Sequence, residues 1–191
     1  MNERKFKQNV VGVITIYCLA IAFGIAFKIH DPSKDAPLYT TFKDLVPLII
    51  AIPAAWLGYC FQRRQSYLKD VRELWSKIVV AVQDSIQYTH LSNAEQLLYG
   101  NVLKGLSVAT EELRAVFTNI GEGEEQVGLF PFESLKSIHE HISVLGYNEI
   151  SSDEASSTRH EIVESYKKLR RHFLTELERG IPSNVDSPFL Q

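Results

Sequence analysis

Residues 45–62, LVPLIIAIPAAWLGYCFQ, run without a single charge, and they are the second such stretch in the chain. The first, residues 10–29, VVGVITIYCLAIAFGIAFKI, carries only Lys28, at its edge. At ~1.5 Å per residue, helices over these runs reach ~30 and ~27 Å, close to the hydrocarbon thickness of a bilayer. Soluble cores rarely bury two such helices back to back in a chain of 191 residues. The pair therefore predicts a membrane hairpin, with spans at about 10–29 and 45–61. A cleaved signal is the competing reading of the first run, since Arg4, Lys5 and Lys7 supply a basic start. The apolar stretch is too long for one, and no small-x-small site before a polar junction closes it, so an uncleaved anchor is expected.

Lysine and arginine counts orient the hairpin. Arg4, Lys5 and Lys7 precede it, and Arg63, Arg64, Lys69 and Arg72 follow it, whereas the intervening residues 30–44 set Lys34 and Lys43 against Asp31, Asp35 and Asp44. Both termini are expected in the cytosol and the short loop outside, with Arg63 and Arg64 anchoring the second span at phosphate headgroups. Tyr39, Phe42, Trp56 and Tyr59 suit interfacial positions. Cys18 and Cys60 both fall within the apolar runs, where they read as small apolar side chains rather than a disulfide.

Two prolines interrupt the second run. Pro47 reads as a first-turn residue, where a missing N–H is tolerated. Pro53 falls mid-span, frees the carbonyl of Ile49 and predicts a bend that is a candidate hinge. Small-xxx-small spacings, Ala20 with Gly24 and Ala54 with Gly58 (or Ala51 with Ala55), would let helices approach closely, within the hairpin or between copies. Neither span carries a deep charge, which disfavours a transporter or proton relay.

Beyond the hairpin the period is helical throughout. Leu68, Val71, Trp75, Ile78, Val82 and Ile86 step by three and four, and no breaker separates them from the second span. One helix is expected to run from the membrane to about Tyr88. A second begins near a capping box of Ser92 and Glu95 and carries Leu98, Val102, Leu106, Ala109, Leu113, Val116 and Ile120. GEGEEQVG, residues 121–128, reads as a solvated linker. Leu135, Ile138, Ile142 and Leu145 mark a third helix over 131–145 that Gly146 ends. Ile162, Tyr166, Leu169, Phe173 and Leu177 mark a fourth over 157–179, with a capping box of Thr158 and Glu161 and a stop at Gly180 and Pro182. The expected fold is all-α: a two-helix transmembrane hairpin over 1–61, then a cytosolic bundle of about four helices over 62–191 with the C-terminal tail IPSNVDSPFLQ.

Chemistry is sparse. His139 and His141 are two residues apart on a helix and point apart, so no metal site is expected. No G-x-S-x-G, no phosphate-binding glycine loop and no soluble-part cysteine are present. Neither an enzyme nor a cofactor is expected. Lys167, Lys168, Arg170 and Arg171 cluster with His172 on the last helix. They read first as a solvated face and second as a contact for an anionic surface or a nucleic-acid-bearing partner. Aromatic interleaving is too thin to indicate direct single-strand binding.

A two-span hairpin leading straight into a non-catalytic helical domain resembles the small two-transmembrane effectors of bacterial anti-phage systems, including those that accompany retron reverse transcriptases. The likeness covers the architecture of the whole chain and the sequence character of LVPLIIAIPAAWLGYCFQRRQSYLKDVRELWSKIVVAVQD, residues 45–84. The resemblance implies a toxic inner-membrane protein, silenced by a regulatory protein or ribonucleoprotein complex and released on infection. Its counterparts touch membrane lipids, and hairpins could associate as homo-oligomers. A passive membrane-tethered adaptor and a small channel subunit are the alternative readings.

Overall fold

The computed structural model describes residues 3–30, 37–118, 122–123, 126–127, 131–177 and 179. Five helices occupy them: α1 (Glu3–His30), α2 (Pro37–Tyr88), α3 (Gln96–Val116), α4 (Phe132–Leu145) and α5 (Ser152–Glu176). Strand structure among the described residues is confined to four two-residue pieces, β1 (Asn93–Ala94), β2 (Glu122–Gly123), β3 (Gln126–Val127) and β4 (Asn148–Glu149). The fold is all-α, as the periodicity requires. The chain divides into two compact units, Met1–Leu68 and Lys69–Gln191.

In the first unit α1 and α2 run antiparallel, since Gly24 meets Phe42 while Tyr17 meets Ile50. The facing stripes are Val13, Tyr17, Ala20, Gly24 and Phe27 on α1 and Phe42, Val46, Ile49, Pro53, Leu57 and Cys60 on α2, all less exposed than their neighbours. Both follow the three-and-four step of a helix face. Outside the stripes, large apolar side chains stand open, Ile21 at 64% and Ile52 at 67%. Both helices are long and apolar enough to cross a membrane. Cys18 is exposed and Cys60 buried, and both are free thiols.

Helix α2 starts earlier than its uncharged run. Pro37 is its first residue, a position where the lost N–H has no partner to miss. Pro47 is thus an interior helical residue and not a first-turn one, and residues 37–44 are helix rather than loop. Lys34, Asp31 and Asp35 lie outside the described residues.

In the second unit the rest of α2 packs with α3, α4 and α5. Val71, Ile78 and Val82 of α2, Leu106 and Leu113 of α3, Leu135, Ile138 and Ile142 of α4, and Ile162 and Leu169 of α5 form a shared core. Each fully buried aliphatic side chain stabilises the fold by roughly 1.5–3 kcal/mol. Trp75 stacks on Tyr166 at 5.6 Å between centroids and tilts against Phe173 at 5.0 Å, which fixes α5 to α2. The expected stripes are met almost residue for residue. Leu98 is the exception, remaining exposed, and Ile120 lies outside the described residues.

The helix ends differ from the sequence reading. Helix α3 begins at Gln96 with Glu95 as its N-cap and no side-chain cap bond. Ser92 lies before β1, which separates it from the helix, and its carbonyl accepts the N–H of Ile150 at 3.1 Å beside the antiparallel β1–β4 pair. Helix α5 begins at Ser152, so Thr158 is interior and cannot cap; Asp153 and Glu154 occupy the first turn, where the helix dipole favours acids. Gly146 does close α4, with φ at 69°, and its N–H bonds the Ile142 carbonyl at 3.2 Å. The 121–128 linker contains the β2–β3 pair. Gly180, Pro182 and the tail IPSNVDSPFLQ lie outside the described residues.

Candidate functional site

Pro53 lies on the face of α2 that meets α1, where it is buried. Its ring removes the N–H that the Ile49 carbonyl would otherwise accept, in the middle of a helix that continues to Tyr88. One turn back, the Ile50 carbonyl accepts a hydrogen bond from the Tyr17 hydroxyl of α1 at 3.0 Å. The bond ties α1 to the backbone next to the carbonyl that Pro53 frees, and polar side chains of neighbouring helices commonly support backbone around a proline in an apolar medium. Two other hydroxyls of the hairpin bond within their own helices, Thr15 to the Val11 carbonyl and Thr41 to the Pro37 carbonyl, each at 2.9 Å. Tyr17 was not singled out by the sequence reading. Its signal was available, as a phenol in an otherwise apolar face, but only the antiparallel register puts it beside the proline.

Between the same faces lies an open apolar groove of about 500 Å³, lined by Tyr17, Ala20, Gly24, Phe42, Val46 and Ile49. Gly24 lets the helices meet closely there: a β-carbon would stand 2.9 Å from the edge of the Phe42 ring, which would have to shift and in turn meets Phe27 edge-on at 5.8 Å. Ala20 and Gly24 therefore serve contact inside the hairpin. Ala54 and Gly58 do not, for both are exposed and a β-carbon on Gly58 would meet nothing within 4 Å. The two small pairs have different surroundings, which their identical spacing conceals.

Arg63 and Arg64 also differ. Arg63 is exposed, whereas Arg64 is 4% exposed, with its guanidinium 5.6 Å from the centre of the Tyr67 ring. On α5, Lys167 is held by Glu164 at 2.8 Å, an exposed pair that lowers the Glu164 carboxyl through the hydrogen bond first and charge second. Lys168 and Arg171 are exposed and Arg170 half-buried.

Among the described residues no group of three or more His, Cys, Asp or Glu side chains is placed to hold a metal. The His139 ring lies 3.4 Å from the Ser143 hydroxyl, one turn along α4. Tyr88 is buried, donates to the Gly146 carbonyl at 2.6 Å, and has its phenol pushed up by burial and then by Tyr99 beside it. Arg159 donates to the Thr89 hydroxyl at 3.0 Å and carbonyl at 2.9 Å, capping the end of α2.

Fold and site together define a class: an all-α protein with two helices fit to cross a membrane, the second of which is also the first helix of a bundle. Compared with protein families, curated proteins and solved structures, the chain matches none.

Proposed function

We propose that the chain is an inner-membrane effector of a bacterial anti-phage system, held silent by a partner complex and disrupting the membrane when released. The observation that carries this reading is α2, one helix whose first part holds the apolar run and Pro53 and whose last part supplies Val71, Ile78 and Val82 to the bundle core. A partner that grips the bundle thereby grips the helix that holds the hinge. The exposed apolar faces of α1 and α2 support insertion, because such surfaces are costly in water. Both termini lie in the cytosol in this reading, and a regulatory protein or ribonucleoprotein contacts the bundle, with Lys168 and Arg171 as available cations. Expression without the partner is expected to collapse the membrane potential in a dye assay. Full viability with an intact potential, at confirmed membrane expression, overturns the reading.

The self-contained core of the second unit favours one alternative, a passive tether for a helical adaptor. Exchanging residues 1–61 for an unrelated two-span anchor separates the two. An adaptor keeps working after the exchange and an effector does not.

A further inference from the structure

Helices α2 and α3 leave a long groove open between them. It comprises two adjoining cavities of about 450 and 320 Å³ that share Asp84 and Asn101 in their walls. Val80 and Val108 line the larger cavity, 55% and 47% exposed, and Leu98 lines the smaller. Gly105 and Ala109 keep the α3 side low, and a β-carbon on Gly105 would meet nothing within 4 Å. Apolar side chains gathered in one groove mark a binding face, unlike single exposed residues. The charges on its walls identify what fits. Lys77 pairs with Glu112 at 2.6 Å across the antiparallel helices. Two turns further along α2, and two turns back along α3, Asp84 stands level with Lys104. Both are exposed and neither makes an ion pair with a described residue.

We propose that this groove is the interface with a second copy of the chain. A twofold axis parallel to α2 and α3 lays α2 of each copy over α3 of the other. Because an isologous interface uses one patch twice, Asp84 of each copy then meets Lys104 of its partner, and Val80 meets Val108. The low Gly105–Ala109 wall lets the incoming helix approach. Apolar contact supplies the attraction and the charge pair sets the register. This operator also keeps the two α2 helices parallel, as two copies anchored through that helix in one bilayer require. The inference rests on the membrane reading for this last point alone.

Cysteine cross-linking of full-length chains tests it, in a C18A/C60A background with two tags. V80C on one tagged chain and V108C on the other, coexpressed and oxidised in the cell fraction that holds the chain, are expected to give a mixed-tag disulfide, since the bond needs Cα atoms within about 7 Å. V80C alone is expected to give little self-linked product. D84K or K104D is expected to cut the mixed product at least fivefold, and D84K on the same chain as K104D to restore it. No mixed product overturns the dimer, as does V80C self-linking in its place. Failure of the double reversal to recover the cross-link overturns the charge register. The cross-link is read in whichever cell fraction holds the chain, and it does not depend on depolarisation. Loss of the effector reading and loss of the dimer are therefore separate results.

Discussion

Replacing Tyr17 with Phe removes one hydroxyl and leaves the ring, so it isolates the bond to the Ile50 carbonyl. Hydrogen bonds between helices in membranes average about 0.6 kcal/mol and reach about 1.7 kcal/mol. The upper part of that range applies if the bond supports backbone loosened by Pro53. Cys60 reports the consequence, because it ends the α2 stripe that faces α1 and is only 2% exposed. In a Cys18→Ala chain, a membrane-permeant maleimide reaches Cys60 only when the hairpin opens. Under conditions where opening is in fast equilibrium, the rate of alkylation scales with the opening constant. At 1.4 kcal/mol per tenfold, Tyr17→Phe is expected to speed it roughly three- to sixteen-fold. Pro53→Ala restores the N–H for Ile49 and removes the need for outside support. In that background Tyr17→Phe is expected to have a smaller effect, a coupling that a double-mutant cycle measures. An alkylation rate for Tyr17→Phe within 1.5-fold of the parent refutes the clasp. Strictly additive effects of the two substitutions refute its connection to the proline.

The remaining expectations follow from the same geometry. Gly24→Ala forces the Phe42 ring to shift at a cost of about 1–3 kcal/mol and should speed Cys60 alkylation at least fivefold, while Gly58→Ala, with open space around it, should leave the rate unchanged. Arg159→Ala removes two hydrogen bonds at the end of α2 and should lower bundle stability by roughly 1.5–3 kcal/mol in denaturant unfolding followed by helical signal. Tyr88 binds its proton more tightly in the folded state than in the unfolded one. Its contribution is therefore fully present below the ordinary tyrosine value of about 10 and is lost as pH rises through the folded value. Unfolding midpoints measured from pH 9 upward should fall more steeply for the parent than for Tyr88→Phe.

What the sequence makes legible here is what a single helix dictates to itself. The step of three and four identified Val71, Ile78 and Val82, and equally Ile162, Tyr166, Leu169 and Phe173, because each helix has only one face apolar enough to bury. Helix ends were less legible, since the start of a helix competes with other uses of the residues before it. Ser92 has the composition of a cap, yet Asn93 and Ala94 after it pair with β4, more than fifty positions away, and the helix starts only at Gln96. Pro47 was misplaced for a related reason. The charge-free run set the expected start of α2, whereas a helix can begin in polar sequence wherever a proline such as Pro37 pre-sets its first turn.

Pro53 shows where local reasoning stops. Its ring frees one carbonyl wherever the helix runs, but what supports the backbone there depends on what crosses it. Tyr17 is 33 positions from the carbonyl it bonds, and nothing in either stretch specifies their pairing. The same limit applies to the small residues. Ala20–Gly24 and Ala54–Gly58 are indistinguishable as spacings, and only the facing stripes assign the first pair to the Phe42 contact and leave the second open. A substitution at Gly24 therefore tests how the hairpin holds itself together. One at Gly58 tests what the hairpin meets outside itself, and the two should not be pooled as one motif.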